Sequence, residues 1–379
     1  MSAQLNFPVG PEQEALAALL AAAEPGDARL GTELDRWGPA ELVHRVRSGC
    51  GGFPGASALR RRLETVDGAE QLGRAGALDA VLVARGDPDW PTQLDDLGDS
   101  RPLALWLRGS AALRPALLRS AAVVGSRTAS AYGLRVAADL GSDLAEHGWT
   151  VVSGAALGID GAAHRGALAG GGPTVAVLAG GLDVPYPVAH ARLLDQIAEE
   201  GIVISESGLG AAPMRHRFLT RNRLIAALTR GTVVVEAAMR SGALSTARYA
   251  ADLNRPVLAV PGPVTSTVSA GSNDLLRTRG AVPVTCAGEV IEDLGRIGAD
   301  LLPTRPAEQR PHDALSRRQA EVIGALPARR PVAVDEVARR CGLDPAAASA
   351  ELGQLALLGM VERIDGGWRP TRRGRGRAS

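Results

Sequence analysis

The sequence predicts an α/β protein built on an extended, Rossmann-like doubly wound parallel sheet, with a small N-terminal helical domain and a C-terminal winged-helix domain. Three observations carry that reading. Unbroken apolar runs rich in β-branched residues recur at 121–125, 150–153, 174–178, 202–205, 232–235 and 256–260. Helical patterns lie between them, at 133–147, 159–168, 190–199, 223–228 and 244–253. Gly/Ser-rich turns follow the runs. Strands apolar on both faces that alternate with helices belong to a parallel sheet covered on both sides, with right-handed connections.

Taken in order, residues 12–23, 39–47 and 57–66 read as short helices separated by Gly, Pro and Asp, giving a helical domain over 1–78 of the sterile-α-motif or helix-hairpin-helix kind. Arg60, Arg61 and Arg62 on the third of these form a solvated face or a minor nucleic-acid contact. Asp87-Pro88-Asp89-Trp90-Pro91 marks a loop and 103–107 an apolar strand, so the Rossmann-like domain is placed at 79–298. A proline-stiffened linker is expected at 299–312. The winged-helix domain follows at 313–371, with helices at 315–326, 333–341 and 345–358 and a hairpin turning at Gly366-Gly367. Its third helix, where a groove-reading surface would lie, has no basic residue from Pro345 to Gln354, which favours protein contact or accessory DNA contact over duplex reading. The Arg-rich tail at 372–379 is expected to be disordered and to hold nucleic acid non-specifically.

Composition excludes several chemistries. None of the 379 residues is lysine, so all 42 basic residues are arginine. A P-loop lysine, a kinase lysine and Schiff-base or pyridoxal phosphate chemistry are therefore ruled out. The formal charge is only +1, so anion binding must come from local arginine clusters, whose planar forks suit phosphate. Cys50, Cys286 and Cys341 form no CxxC pair and the six histidines no HExxH spacing; no zinc site, no disulfide framework, no metal and no cofactor are expected. The start does not resemble a signal peptide, and no apolar run reaches membrane-spanning length, so a cytoplasmic location without membrane contact is expected.

Function is read from the turns. In a parallel sheet they share the carboxyl edge, where helix N-termini present free N–H groups and small residues let phosphates approach the backbone. Gly125-Ser126-Arg127-Thr128 follows the first run, Gly154 the second, and Arg240-Ser241-Gly242 the fifth. The segment from Arg215 to Arg223 sets Arg215, Arg217, Arg221, Asn222 and Arg223 around Phe218, one of only three phenylalanines. Charge interleaved with an aromatic suits an unpaired nucleic-acid strand. The competing reading places Phe218 in the core and pairs Arg221 or Arg223 with Glu206 or Glu236. Arg240, Arg248 and Arg277 extend the expected lining. GxGxxG and an acid ending the second run are both missing, which disfavours dinucleotide redox chemistry. Asp160 and His164, four residues apart on one predicted helix, are a weak acid–base candidate; no catalytic residue is assigned.

These blocks resemble the DNA-processing protein A (DprA, or Smf) family from about residue 87 to 295. The resemblance rests on Val123-Val124-Gly125-Ser126-Arg127, Val151 to Asp160 with Ala163-His164, Gly180-Gly181-Leu182-Asp183, Tyr186-Pro187, Ser205-Glu206, Phe218 with Arg221-Asn222-Arg223, Val235-Glu236-Ala237, Ser241 to Thr246, and Val260-Pro261-Gly262. It implies a homodimer that binds single-stranded DNA and helps load the RecA recombinase during natural transformation. It also makes Gly125-Ser126-Arg127 similar to the family's phosphate-binding loop, and the Phe218 and Arg221-Asn222-Arg223 block similar to its DNA-facing segment. Where many relatives have lysine before the third strand this chain has Pro173, with Arg165 or Arg215 as replacements; the family's common Tyr-Pro near the entrance is here Trp90-Pro91. The competing enzyme class is a nucleotide phosphoribohydrolase resembling the lysine-decarboxylase-like (LOG) family, whose Pro-Gly-Gly-x-Gly-Thr block is replaced by Ala238 to Gly242. A third reading makes the chain a dimeric adaptor.

Overall fold

A computed structural model of the chain describes residues 10–296, 300, 315–328 and 330–371. The chain divides into two compact units, Met1–Leu302 and Pro303–Ser379. All but one residue of the expected linker, and the whole expected Arg-rich tail, lie outside the described residues.

The first unit opens with five short helices, α1 (Pro11–Ala22), α2 (Ala28–Trp37), α3 (Pro39–Arg47), α4 (Ala56–Leu63) and α5 (Gly68–Gly76). Asp27 and Asp67 cap α2 and α5 by accepting the Arg29 and Ala69 amides. Leu19, Leu42, Leu59 and Leu63 form a core of their own, while Leu16 and Leu20 on the neighbouring face of α1 join the layer that covers the sheet. One helix thus serves two cores.

The sheet comprises β1 (Ala80–Ala84), β2 (Ala104–Gly109), β3 (Ser120–Val124), β4 (Thr150–Ser153), β5 (Thr174–Leu178), β6 (Ile202–Ser205), β7 (Thr232–Val234), β8 (Val257–Ala259) and β9 (Val282–Pro283). Its order is β1-β2-β6-β5-β4-β3-β7-β8-β9. Strands β3 to β9 pair in parallel, whereas β2 runs antiparallel to β6 and β1 to β2. Every residue of β3 through β7 is buried, as the unbroken apolar runs require. The short α6 (Leu113–Ala116) precedes β3; the connecting helices are α7 (Ala131–Glu146), α8 (Ile159–Ala169), α9 (Ala191–Glu200), α10 (Arg215–Leu228), α11 (Ala243–Asp252) and α12 (Ala270–Thr278), and α13 (Ala287–Leu294) closes the unit. The doubly wound class is as predicted, and the order reverses between β3 and β7, the switch point at which such sheets form their crevice.

Helices α7 and α8 approach unusually closely. A Cβ built on Gly141 would lie 2.4 Å from the Ala163 carbonyl oxygen, and one on Gly166 2.1 Å from that of Ala138. Any larger residue at either position would push the two helices apart.

The second unit has α14 (Arg317–Gly324), α15 (Val334–Cys341), α16 (Pro345–Leu357) and the hairpin β10 (Val361–Ile364) with β11 (Gly367–Pro370). Val332 bridges Trp368 to add a third short strand, completing the predicted winged helix. Ser316 and Gln319 form a capping box on α14, and Asp344 accepts the Ala346 and Ala347 amides at the start of α16. Val322, Val337, Leu352 and Leu355 fill its core.

Candidate nucleic-acid interface

The loops after β3, β4, β5 and β7 meet at the carboxyl edge, but their anion-binding positions are filled from within the protein. Asp160, in the first turn of α8, is buried and accepts the Gly154 amide at 3.1 Å; the Ala156 and Gly125 amides also favour its charged form. Burial raises its pKa, against the pull of the Arg221 charge and those amides. Glu236, just past β7 and 1 % exposed, accepts the Ser130 amide at 2.9 Å and the Ser130 hydroxyl at 2.6 Å, occupying the N-terminus of α7. In a dinucleotide-binding sheet that terminus meets a phosphate.

This geometry corrects several expectations. Ser126 is buried and its Oγ accepts the Thr128 amide at 3.2 Å within the loop. Gly154 is buried, and a Cβ there would lie 2.2 Å from the Arg221 guanidinium, so the missing side chain makes room for that arginine. Gly125 is likewise hemmed in, its built Cβ 2.6 Å from Ile159 and 2.8 Å from the Glu236 carbonyl oxygen. Ile159 donates its amide to the Ser126 carbonyl at 3.2 Å, and φ is +81° at Gly158, a left-handed turn that brings α8 against the Ser126-Arg127 backbone.

The basic block is corrected most. Residues 215–228 form one helix, and its periodicity sends Arg221, Asn222 and Arg223 inward. Arg221, 4 % exposed, donates to the Val177 carbonyl at the end of β5; burial lowers its pKa to about 10, which leaves it charged at neutral pH. Arg223, 3 % exposed, makes a two-pronged pair with Glu206 at 2.6 Å on each prong and reaches the Ser100 carbonyl at 2.9 Å. Asn222 donates to the Gly242 carbonyl (3.2 Å) and the Ser245 hydroxyl (2.8 Å), fixing the turn into α11. These three side chains build the edge from behind. Arg217 pairs with Glu24 of the helical segment, so it too is spent.

What faces outward is a smaller set. Arg127 and Thr128 are exposed, and the Arg127 guanidinium lies over the Phe218 ring, 4.6 Å from its centroid. Phe218 is half-buried, and its other neighbour is Tyr186, from the loop after β5, with ring centroids 5.4 Å apart at 54°. Arg215 is exposed one turn before Phe218 on α10. Arg240 and Gly242 are exposed and Ser241 half-buried in the loop after β7, the strand beside β3. Among the described residues, Arg127, Arg215 and Arg240 form no ion pair. Arg165 and Arg248 are exposed along α8 and α11; Arg277 is in the last turn of α12, away from this edge.

Asp160 and His164 do not work as a pair. His164 is fully buried and its Nδ1 contacts Thr174 Oγ1 at 2.7 Å; that hydroxyl spends its hydrogen on the Val151 carbonyl, so Nδ1 must carry the proton. Burial lowers the His164 pKa to about 3, leaving a neutral ring locked into the core. No cluster of potential metal ligands occurs among the described residues, and none of their helices is long and apolar enough to cross a membrane. The sequence assigns no role to Tyr186 beyond its Tyr186-Pro187 block; it offers Glu236 as a partner for arginine and Asp160 as a partner for His164, whereas the structure sets both carboxyls on backbone amides.

Residues 81–295 match the family described as DNA recombination-mediator protein A, and residues 306–367 the DprA winged helix domain. A Mycobacterium tuberculosis chain assigned to DNA processing protein DprA is 45 % identical over 385 residues, covering 98 % of this chain and 97 % of its own. Protein Smf of Escherichia coli is 40 % identical over 66 % of this chain and 68 % of its own. Among solved structures, DNA processing protein A of Streptococcus pneumoniae superimposes with a TM-score of 0.64 at 31 % identity, covering 76 % of this chain and 100 % of its own. The Helicobacter pylori DNA processing protein A, solved for its single-stranded DNA binding mode, gives 0.51 at 28 % identity over 57 % of this chain and 96 % of its own.

Proposed function

Because this chain belongs to the DNA recombination-mediator protein A family, we propose that it is a non-catalytic, sequence-tolerant single-stranded DNA binder that uses the exposed carboxyl edge of its sheet. The observation that carries this reading is Arg127, unpaired and resting on Phe218 at the switch point, with Arg215 and Arg240 exposed on the elements beside it. Arginine meets phosphate without regard to sequence, and an aromatic cluster at its side suits bases of any kind. Thr128, Ser241 and Gly242 complete the outward set. Homodimerisation, handing of the DNA to RecA, and a cytoplasmic setting belong to the same reading and rest on the family resemblance.

The test is binding of the full chain to oligothymidine across a salt series. For single strands, log K falls with log salt by about 0.7 for each phosphate neutralised. Arg127→Ala should lower affinity for every sequence and shrink that slope by about 0.7, with the unfolding midpoint unchanged. An unaltered affinity and slope in this variant would remove the edge as the binding surface.

A further inference from the structure

Tyr186 is an exposed aromatic with no internal task. Its side chain is 44 % exposed and, among the described residues, its hydroxyl makes no hydrogen bond. Tyr132 offers the contrast, for its hydroxyl donates to the Pro261 carbonyl at 2.9 Å and ties α7 to the loop after β8. Tyr186 thus keeps ring surface and hydroxyl both free at the edge, an apolar body with a wet polar tip of the kind that serves at interfaces.

The surroundings indicate which partner. Tyr186 leans on Phe218 at a tilt of 54°, and the side of Phe218 that faces Arg127 is covered by the guanidinium. Phe218 is therefore enclosed between two neighbours, and Tyr186 is the member of the cluster with open ring surface. From the 4.6 Å and 5.4 Å spacings, the guanidinium and the tyrosine ring lie within about 10 Å of each other, the reach of a nucleotide and its neighbour along an unpaired strand. We propose that Tyr186 is a nucleobase-contacting residue of this edge, stacking one base while Arg127 meets an adjacent phosphate, with Phe218 holding the two at a fixed separation. The inference rests on the proposed function and adds a residue to it. A flat apolar ring with a free hydroxyl selects a base of either class and ignores the sugar–phosphate chain.

The experiment compares oligothymidine with an abasic oligonucleotide of the same length, using the full chain. Tyr186→Ala should weaken oligothymidine binding about five- to hundredfold, the range that stacking contributes per base, and leave abasic binding and the salt slope unchanged. Tyr186→Phe and Tyr186→Trp should bind oligothymidine like the parent. Equal losses on both oligonucleotides, or no loss on either, would overturn the proposal. Arg127→Ala, run alongside, should weaken both; if it weakens neither, the edge itself is wrong, and that failure is distinct from a failure of Tyr186. Unfolding midpoints confirm that each variant is folded, and fold loss in Tyr186→Ala leaves Tyr186→Leu to decide, since leucine fills the contact with Phe218 without offering a stacking face.

Discussion

Arg223→Ala separates building the edge from touching DNA. Arg223 and Glu206 are each about 4 % exposed, joined by two 2.6 Å bonds, and Arg223 also holds the Ser100 carbonyl. Removing one partner of a buried pair strands the other charge in low dielectric, at a cost of about 3–5 kcal/mol. A domain is stable by only about 5–15 kcal/mol, so the variant should denature at markedly lower urea. Removing both charges behaves differently: Arg223→Met with Glu206→Leu leaves no stranded ion and should recover most of the loss, short of about 1 kcal/mol for the bond to Ser100. The assay is urea denaturation followed by the fluorescence of the buried Trp106 and Trp149, with oligothymidine affinity measured where each variant is folded. The double variant should bind with the parental salt slope. A stable Arg223→Ala variant whose slope falls by about 0.7 would show that this guanidinium reaches phosphate, and the burial argument would fail.

Two further outcomes follow. His164 has a folded pKa of about 3 against 6.5 in the open chain, so the unfolded state takes up the proton first and stability should fall as pH drops from 6.5 towards 3. His164→Gln should flatten that stretch of the urea midpoint–pH profile, and an unchanged profile would contradict a neutral buried ring. Asp344→Ala removes the acceptor of the Ala346 and Ala347 amides and should destabilise the winged-helix unit by about 1 kcal/mol. Calorimetry resolving the two units should show the lower transition for the second unit alone.

The sheet was legible because its strands are apolar on both faces. Three of them, β4, β5 and β6, begin and end where the runs do. Strand β1 was not assigned although Ala80–Ala84 is an apolar run: only Ala80 and Val83 are buried, and it pairs antiparallel at the sheet's edge, outside the repeating strand–helix pattern that marked the others. Helix α10 was read eight residues too short because four arginines, a histidine and an asparagine within its first nine positions erase any apolar stripe. That error is what put Arg221 and Arg223 at the surface. The partner of Arg223 was among the alternatives the sequence offered, since Glu206 ends a buried strand, but only the fold decides between pairing and exposure. The role of Glu236 at the start of α7 could not be read, because the Ser130 amide it holds lies 106 residues earlier in the chain, whereas Asp160 holds the Gly154 amide within its own loop.

Those two carboxylates also bear on what kind of ligand the edge can take. A Rossmann crevice that binds a mononucleotide or dinucleotide does so with backbone N–H groups at a helix terminus, which fix one phosphate in one place. Here Glu236 holds the Ser130 amide and Asp160 the Gly154 amide, so a further anion would have to compete with a carboxyl oxygen already at each position. The cations that remain stand outside this layer on separate elements, Arg127 after β3, Arg215 on α10 and Arg240 after β7. Long side chains spread over several loops suit a ligand that repeats its phosphate along a chain and tolerates shifts in register. This arrangement, two carboxyls holding the amides and arginines standing outside them, supports the proposed binding of a nucleotide strand over that of a single nucleotide.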